Sequence, residues 1–326
     1  MATYNEIKGD TVEVRATDPV NPVEGEIWYN STTGVLKGKV FIAAAWASGG
    51  NLNTARYSVG GAGTQTAGLS FGGSSGPAVS TGDTEEYDGS SWSEQNNLST
   101  GRRYTSGCGT QTAGLCVAGF VRSAPNETTD AVEEYDGSSW TAGGAYPIPT
   151  NSLVSAGTQT SAVSFGGGND NATNEYNGSS WTSGGSMSVP RDFGGGLGTQ
   201  TAGLSFGGKT GSPQTSTNAT EEYDGSSWTT GGVLNTARNV LAGAGLQTAG
   251  LAFGGNTGLG SGTTAVTEKY DGSSWTTTSS LANARSYIAG CGTQTLGLAF
   301  GGSPIPVNST EEFTDTIDAA QIITTS

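Results

Sequence analysis

The chain contains no histidine, and its 13 lysine and arginine residues are outnumbered by 28 aspartates and glutamates, which gives a net charge of −15. Nucleic-acid phosphates are bound by basic surfaces, so no nucleic-acid partner is expected. Histidine is the most frequent general acid or base, and the carboxylates of this chain recur from repeat to repeat, so none is singled out for catalysis. We therefore predict a protein that is not an enzyme and uses no cofactor or metal.

Cysteine is also scarce, with three residues at Cys108, Cys116 and Cys291. Scattered in this way they form neither a disulfide framework nor a zinc site, and their expected role is that of small buried side chains. The sequence also allows a disulfide between Cys108 and Cys116 across one hairpin. The first residues contain no long apolar run, so neither a signal peptide nor a membrane-inserted segment is expected.

Glycine, in contrast, makes up 55 of the 326 residues, and much of it belongs to an internal repeat. The motif Gly-x-Gln-Thr begins at Gly63, Gly109, Gly157, Gly198, Gly245 and Gly292. A tryptophan stands 17 residues before each of these glycines, at Trp46, Trp92, Trp140, Trp181, Trp228 and Trp275. The period is 41 to 48 residues, and a repeat of that length decides the fold before any local pattern is read.

Each repeat is predicted to form four short strands, which in the first copy are residues 57–62, 68–71, 85–87 and a strand that starts at Trp92. Asp88 and Gly89 between the last two strands are a strong hairpin signal, because glycine adopts positive φ without steric cost. Four strands at this period are typical of a β-propeller blade. The high glycine content and the absence of helical periodicity argue against a helical solenoid.

The six copies are offset from the two ends of the chain. The last copy ends at Phe313 with no tryptophan after it, and Trp46 is not preceded by the first three strands of a repeat. Placing the Trp46 segment beside the Phe313 strand would close a ring and remove open sheet edges, whereas the alternative is an open array with frayed ends. The predicted fold class is all-β: a six-bladed propeller at 39–316 closed by an N-terminal strand, a β-hairpin attachment segment at 1–38, and a tail at 317–326.

Two charged series follow the repeat. An arginine lies ten residues after the tryptophan in five copies, at Arg56, Arg102, Arg191, Arg238 and Arg285. A carboxylate lies two residues before the aromatic residue of the third strand, at Glu85, Glu133, Glu221, Glu268 and Glu311. Thr150 interrupts the first series and Asn174 the second, which suggests that the two are coupled. The series would either hold the blades together, through ion pairs or bonds to loop carbonyls, or form a ring of arginines that contacts a ligand.

The order of these motifs resembles the kelch repeat over about residues 40–316. The fourth copy has Ser-Val-Pro-Arg at 188–191, Phe-Gly-Gly at 206–208, Glu-Glu-Tyr-Asp at 221–224 and then Trp228. Tyrosine and tryptophan are five residues apart, closer than is usual in kelch repeats, so the turn before the fourth strand is shorter. The resemblance implies a kelch-like propeller.

Outside the repeat, residues 25–37 are predicted to form a β-hairpin that resembles short modules near the ends of bacteriophage tail-fibre and head-fibre proteins. This resemblance implies a non-catalytic virion component, such as a tail-fibre, receptor-binding or capsid-decoration protein, that contacts other virion proteins through residues 1–38. The sequence also allows a homo-oligomer. The alternatives are a plain hairpin and, for the whole chain, a carbohydrate-binding lectin or a carbohydrate-active propeller enzyme.

The connections between the second and third strands differ from copy to copy. They span residues 74–84, 120–132, 168–173, 209–220, 256–267 and 303–310. Binding sites tend to lie on variable loops carried by a rigid scaffold, so this Ser-, Thr- and Asn-rich face is predicted to contact a host-surface glycan or a protein receptor. The alternative is that these loops merely tolerate insertions.

Overall fold

The computed structural model describes residues 12–20, 26–77, 79–122, 127–258 and 262–322, and these ranges contain strands and turns but no helix. The prediction of an all-β protein is confirmed. Most strands belong to four-stranded antiparallel sheets, an arrangement consistent with a β-propeller-like fold. The chain divides into two compact units, one formed by Met1–Ala45 with Asp315–Ser326 and the other by Trp46–Thr314.

Six antiparallel sheets share one plan, and we number them repeat sheets 1 to 6. Their first strands are Gly60–Thr64, Ser106–Thr110, Val154–Thr158, Gly195–Thr199, Ala242–Leu246 and Ala289–Gly292. Their second strands are Ala67–Phe71, Ala113–Val121, Ser161–Phe165, Ala202–Phe206, Ala249–Phe253 and Leu296–Phe300. Their third strands are Thr84–Tyr87, Glu127–Tyr135, Thr173–Tyr176, Thr220–Tyr223, Thr267–Tyr270 and Thr310–Thr314. Their fourth strands are Trp92–Gln95, Trp140–Ala142, Trp181–Ser183, Trp228–Thr230, Trp275–Thr278 and Ala45–Ser48.

The fourth strand of repeat sheet 6 therefore comes from the early part of the sequence, whereas the other three come from its end. A separate two-stranded hairpin, Lys209–Thr210 with Thr215–Ser216, is inserted between the second and third strands of repeat sheet 4. The predicted strand positions of the first copy are close to the observed ones except for the first strand. It was expected at 57–62 but spans Gly60–Thr64, because Ser58 has a φ of 57°, which extended backbone does not adopt.

Glycine allows neighbouring sheets to approach closely. A Cβ atom at Gly107 of repeat sheet 2 would lie 2.2 Å from Phe71 Cζ of repeat sheet 1, and one at Gly114 would lie 2.6 Å from Leu69 Cδ2. The ring of Phe71 also packs edge-on against Trp140, with centroids 4.9 Å apart. Large side chains of one sheet thus fill the space above the glycines of the next, which explains why a chain so rich in glycine still has buried aromatic residues at every repeat.

The cysteines occupy packing positions. Cys108, Cys116 and Cys291 are all buried and free, so the disulfide left open from the sequence is not formed. Burial raises the pKa of the Cys108 and Cys291 thiols to about 12. Their expected role as small buried side chains is confirmed.

The other unit contains a four-stranded sheet made of Glu13–Arg15, Ile27–Asn30, Val35–Ile42 and Ile317–Ile322. The predicted hairpin is present between Ile27 and Ile42, while Gly25 at its start lies outside the described residues. Buried Trp28 donates its indole N–H to Asp18, which also accepts from Asn30 and Lys37. These donors, Lys37 first, lower the pKa of Asp18 to about 2. The tail strand pairs with Val35–Ile42.

Candidate functional site: the loop end of the repeat sheets

Each repeat sheet has two different ends, because its strands alternate in direction. We call the end that carries the Gly-x-Gln-Thr turns and the Asp-Gly-Ser-Ser or Asn-Gly-Ser-Ser turns the latch end. The opposite end, which we call the loop end, carries the variable connections and the connections from one sheet to the next. Of the predicted variable loops, residues 78, 123–126 and 259–261 lie outside the described ranges.

At the latch end, the polar side chains of the turns form hydrogen bonds within the protein. The amide of Gln111 donates to the carbonyl oxygens of Gly68 and Tyr87 in the preceding sheet, at 3.2 and 2.7 Å. The other turn glutamines, Gln65, Gln159, Gln200, Gln247 and Gln294, make the same two bonds to a neighbouring sheet. In the other type of turn, Asp88 accepts from the backbone of Ser90 and Ser91, which lowers its pKa to about 2.

A second set of bonds joins the third strands of neighbouring sheets. The hydroxyl of Tyr135 donates to Glu86 of the preceding sheet at 2.9 Å. The equivalent pairs are Tyr87 with Glu312, Tyr176 with Glu134, Tyr223 with Glu175 and Tyr270 with Glu222. At the remaining equivalent pair of positions the sequence has Phe313 and Lys269, so the tyrosine and its carboxylate partner are replaced together.

The five arginines predicted as candidate ligand contacts are buried. Arg56 has no exposed surface, pairs with Glu85 at 2.7 Å and donates to the carbonyl oxygens of Gly72 and Asp83. Equivalent ion pairs are Arg102 with Glu133, Arg191 with Glu221, Arg238 with Glu268 and Arg285 with Glu311. Each arginine lies on the connection between two sheets. Its backbone carbonyl accepts from a glycine that follows the second strand of the preceding sheet, as Gly73 donates to Arg102, and its side chain pairs with a glutamate of the following sheet. A ligand-binding role of these arginines stays a prediction, but their burial favours the structural interpretation.

Repeat sheet 3 explains the interruption of both charged series. Thr150 and Asn174 occupy its arginine and glutamate positions, and Asn174 donates its side-chain amide to the hydroxyl of Tyr146 at 2.9 Å. Tyr146 stands where the other copies have leucine or methionine, at Leu52, Leu98, Met187, Leu234 and Leu281. The buried ion pair is therefore replaced as a unit by a neutral hydrogen bond, which confirms that the two series are coupled.

At the loop end, six equivalent residues line a narrow opening. Each lies two positions after the arginine of its copy or, in the third copy, after Thr150. We call them the mouth ring: Ser58, Tyr104, Ser152, Phe193, Val240 and Tyr287. All six have positive φ, between 49° and 61°, although none is glycine. This conformation is uncommon for aromatic and β-branched residues and costs on the order of 1–3 kcal/mol each.

Backbone hydrogen bonds join the members of the mouth ring in a cycle. The N–H of Tyr104 donates to Ser58, that of Ser58 to Tyr287, and that of Tyr287 to Val240. The N–H of Val240 donates to Phe193, that of Phe193 to Ser152, and that of Ser152 to Tyr104, which returns to the starting residue. The six distances lie between 2.8 and 3.3 Å. The strained backbone is thus held by main-chain bonds that any side chain at these positions would permit.

Three members of the mouth ring form what we call the aromatic cluster: Tyr104, Phe193 and Tyr287. Their ring centroids are 5.7 to 6.1 Å apart, and all three side chains are partly exposed. Tyr57 packs against Tyr287 from the side, at 6.2 Å. A cavity of about 100 Å³ lies beside the cluster and is lined by the mouth ring and the residues that follow it. Burial raises the pKa of Tyr287, and the neighbouring tyrosines add to this effect.

Two cations lie against the aromatic cluster. The guanidinium of Arg103 is 4.9 Å from the ring centre of Tyr104 and 5.3 Å from that of Phe120, and Lys209 Nζ is 5.5 Å from that of Phe193. Arg103 is only 9% exposed, and its Nη1 donates to the hydroxyl of Tyr57 at 3.5 Å. Its Nε has no hydrogen-bond partner, as is also the case for Arg56, Arg191, Arg238 and Arg285. Among the described residues, every other buried arginine pairs with a carboxylate, whereas Arg103 pairs with none.

The mouth ring was not identified from the sequence. Its positions lie in or next to the predicted first strands, where only small side chains were expected. One signal was available: this position and its two neighbours vary from copy to copy, here among Ser, Tyr, Phe and Val, whereas the Gly-x-Gln-Thr turn is constant. Variation of side-chain size at one fixed repeat position indicates that the fold does not require a particular side chain there.

Comparisons with known proteins gave no matching family model and no matching curated protein. Within the described ranges, no group of three or more His, Cys, Asp and Glu side chains is placed to hold a metal ion. No helix in those ranges is long and apolar enough to span a membrane.

Proposed function

We propose that the six repeat sheets are the blades of a closed, kelch-like β-propeller. The hydrogen-bond cycle of the mouth ring supports closure, because it passes through all six sheets and returns to its start. Contacts between the last sheet and the first support it as well: Trp92 donates to Thr310 and packs against Phe300, and Gln65 donates to the carbonyls of Gly297 and Phe313. The segment around Trp46 then supplies the outer strand of the sixth blade.

On this scaffold we propose a non-catalytic binding function located at the loop end. The observation that carries the proposal is the aromatic cluster, a group of partly exposed rings held in strained backbone at the mouth of the opening. Strained residues are concentrated at functional sites, and exposed aromatic residues are frequent binding anchors. The latch end offers no such group, since its conserved side chains already bond to neighbouring sheets.

The biological setting we propose is a bacteriophage particle. The unit that contains the hairpin at 25–37 would attach to other virion proteins, and the loop end would face a host-surface glycan or protein receptor. This assignment depends on the resemblance of the hairpin to virion modules. It places the protein in the virion, outside the host cell after release.

The setting is tested by asking which assembly contains the chain. Mass spectrometry of purified particles, with antibody labelling in electron microscopy, is expected to find the chain at a fixed position on the particle. Its absence from purified particles, or turnover of oligosaccharides by the purified chain, would contradict the proposal and favour a lectin or a carbohydrate-active enzyme.

The binding face is tested separately by loop exchange. Replacing the long second-to-third connections with the short one at 168–173 is expected to abolish attachment to host cells while leaving the circular dichroism spectrum unchanged. Attachment at the wild-type level by a folded variant would refute the assignment of the loop end.

A further inference from the structure

We propose that the aromatic cluster binds an acidic saccharide, with a sugar ring stacked on the aromatic rings and its carboxylate directed to Arg103 and Lys209. This inference rests on the proposed binding function and names its site and ligand class. Three features carry it: the partly exposed rings, a cation beside them that has no carboxylate partner, and the fact that neither is required by the fold.

The aromatic side chains are not needed to close the mouth ring. Ser58 and Ser152 occupy equivalent positions with the same positive φ and the same backbone hydrogen bonds as Tyr104 and Tyr287. Buried aromatic positions of the repeat behave differently, since Trp and Phe recur there in nearly every copy. Large rings that leave part of their surface in water, at positions where serine suffices, indicate a role outside the protein core.

The geometry of the cluster suits a sugar ring. Pyranose rings present a face of C–H groups that packs on aromatic faces, and the hydroxyl groups around their edge need polar partners. Tyr104 and Tyr287 supply phenolic hydroxyls next to their rings. The cavity of about 100 Å³ is smaller than the roughly 300–1,000 Å³ of pockets that enclose a ligand. The saccharide would therefore lie on the cluster, with only a substituent inserted.

The charges favour an acidic sugar over a neutral one. At the position of Arg103 the other copies have Tyr57, Asn151, Asp192, Asn239 and Ser286, so a cation is present in this copy alone. A buried guanidinium without a carboxylate partner is costly, and an incoming carboxylate would compensate part of that cost. The site also contains Asp192, whose Oδ2 accepts from Gln214 while Oδ1 has no partner. Arg103 and Lys209 are the two cations in contact with the cluster, and they would attract an anion to a chain of net charge −15.

The test uses the full-length chain and defined oligosaccharides. Isothermal titration calorimetry would compare trigalacturonic acid with galactotriose, and 3′-sialyllactose with lactose. We expect at least one acidic saccharide to bind at least about tenfold tighter than its neutral counterpart, and its affinity to fall as salt is added. Failure of both acidic saccharides to bind, or equal affinity for the neutral ones, would overturn the proposal.

Variants taken from the chain's own repeats locate the site. Tyr104→Ser and Tyr287→Ser copy Ser58 and Ser152, and each is expected to weaken acidic-saccharide binding at least about tenfold. Arg103→Asn, which copies Asn151, is expected to remove the preference for the acidic sugar. Tyr176→Phe, at the opposite latch end, is the control and should leave affinity unchanged. Wild-type affinity in the two tyrosine-to-serine variants, or an equal loss in the control, would show that the cluster is not the site.

A failure of the saccharide site can be distinguished from a failure of the proposed function. If the chain is found in particles and the cluster variants attach to host cells and bind saccharides as the wild type does, the site is wrong and the binding function stands. If the chain is absent from particles but binds acidic saccharides through the cluster, the site stands and the virion assignment is wrong.

Discussion

The latch end and the mouth ring both contain hydrogen bonds that join one repeat to the next, but different groups make these bonds. At the latch end a side chain, the turn glutamine, makes the bonds between sheets, and it is the same residue in all six copies. In the mouth ring the backbone makes the bonds, and the residue changes from serine to phenylalanine or tyrosine. Where the main chain satisfies the structure, the side chain becomes available for another role.

Substitutions in the interior ion pairs should cause the largest loss of stability. Replacing Arg238→Met leaves Glu268 buried without its partner, and we expect a loss of about 3–5 kcal/mol in the free energy of unfolding. Urea denaturation followed by tryptophan fluorescence measures it. The triple variant Leu234→Tyr, Arg238→Thr, Glu268→Asn copies repeat sheet 3 and should recover most of the loss. A triple variant as unstable as the single one would contradict the view that the unit is interchangeable.

The latch glutamines should have the next largest effect. Gln247→Ala removes two hydrogen bonds, at 3.0 Å to Gly203 O and 2.8 Å to Tyr223 O. Both carbonyl oxygens then lose their glutamine donor. We expect a loss of about 1–3 kcal/mol, because an unsatisfied buried polar group costs more than a hydrogen bond contributes. Thermal denaturation compares it with Tyr104→Ser in the mouth ring. Equal stability of the two variants would remove the distinction between the two ends.

The tyrosines that donate to a glutamate of the neighbouring sheet should make the protein less stable at alkaline pH. Burial first, and the hydrogen bond to a neighbouring glutamate second, raise the pKa of Tyr87, Tyr176 and Tyr270 to about 12. Because the unfolded tyrosines deprotonate near pH 10, this stabilisation is complete below about pH 10 and is lost between about pH 10 and 12. Melting temperatures measured with tyrosine absorbance should fall in that window.

Tyr176→Phe supplies the control for this pH dependence, since Phe313 shows that phenylalanine fits an equivalent position. It should cost about 1 kcal/mol at neutral pH and reduce the alkaline loss. An unchanged alkaline transition in this variant would mean that other groups cause the loss.

The mouth ring should show the smallest effect on stability. Tyr104→Ser retains the backbone bonds of Ser58 and Ser152, so its free energy of unfolding is expected to change by less than about 1 kcal/mol while saccharide binding is lost. Chemical denaturation and calorimetry on the same preparation check both. A large loss of stability would indicate that the aromatic cluster is a structural element.

Much of the scaffold could be predicted from the sequence because the repeat is nearly regular. The positions of Trp92, Tyr87 and the Asp88 turn located strands and a hairpin correctly. The start of the first strand was wrong, since positive φ at Ser58 depends on bonds to residues of other sheets. The arginine series was recognised, but whether it faced a ligand or the interior depended on the distant Glu85 and the carbonyls around it.

The sequence by itself determined the repeat, the all-β class and the coupling of the charged series, because these follow from spacings along one chain. Only the tertiary structure decided that the arginines are buried, and that Tyr104, Phe193 and Tyr287, separated by some ninety residues at each step, meet at one opening. Contacts of that kind depend on how neighbouring sheets pack against one another, and no local pattern of side chains encodes that packing.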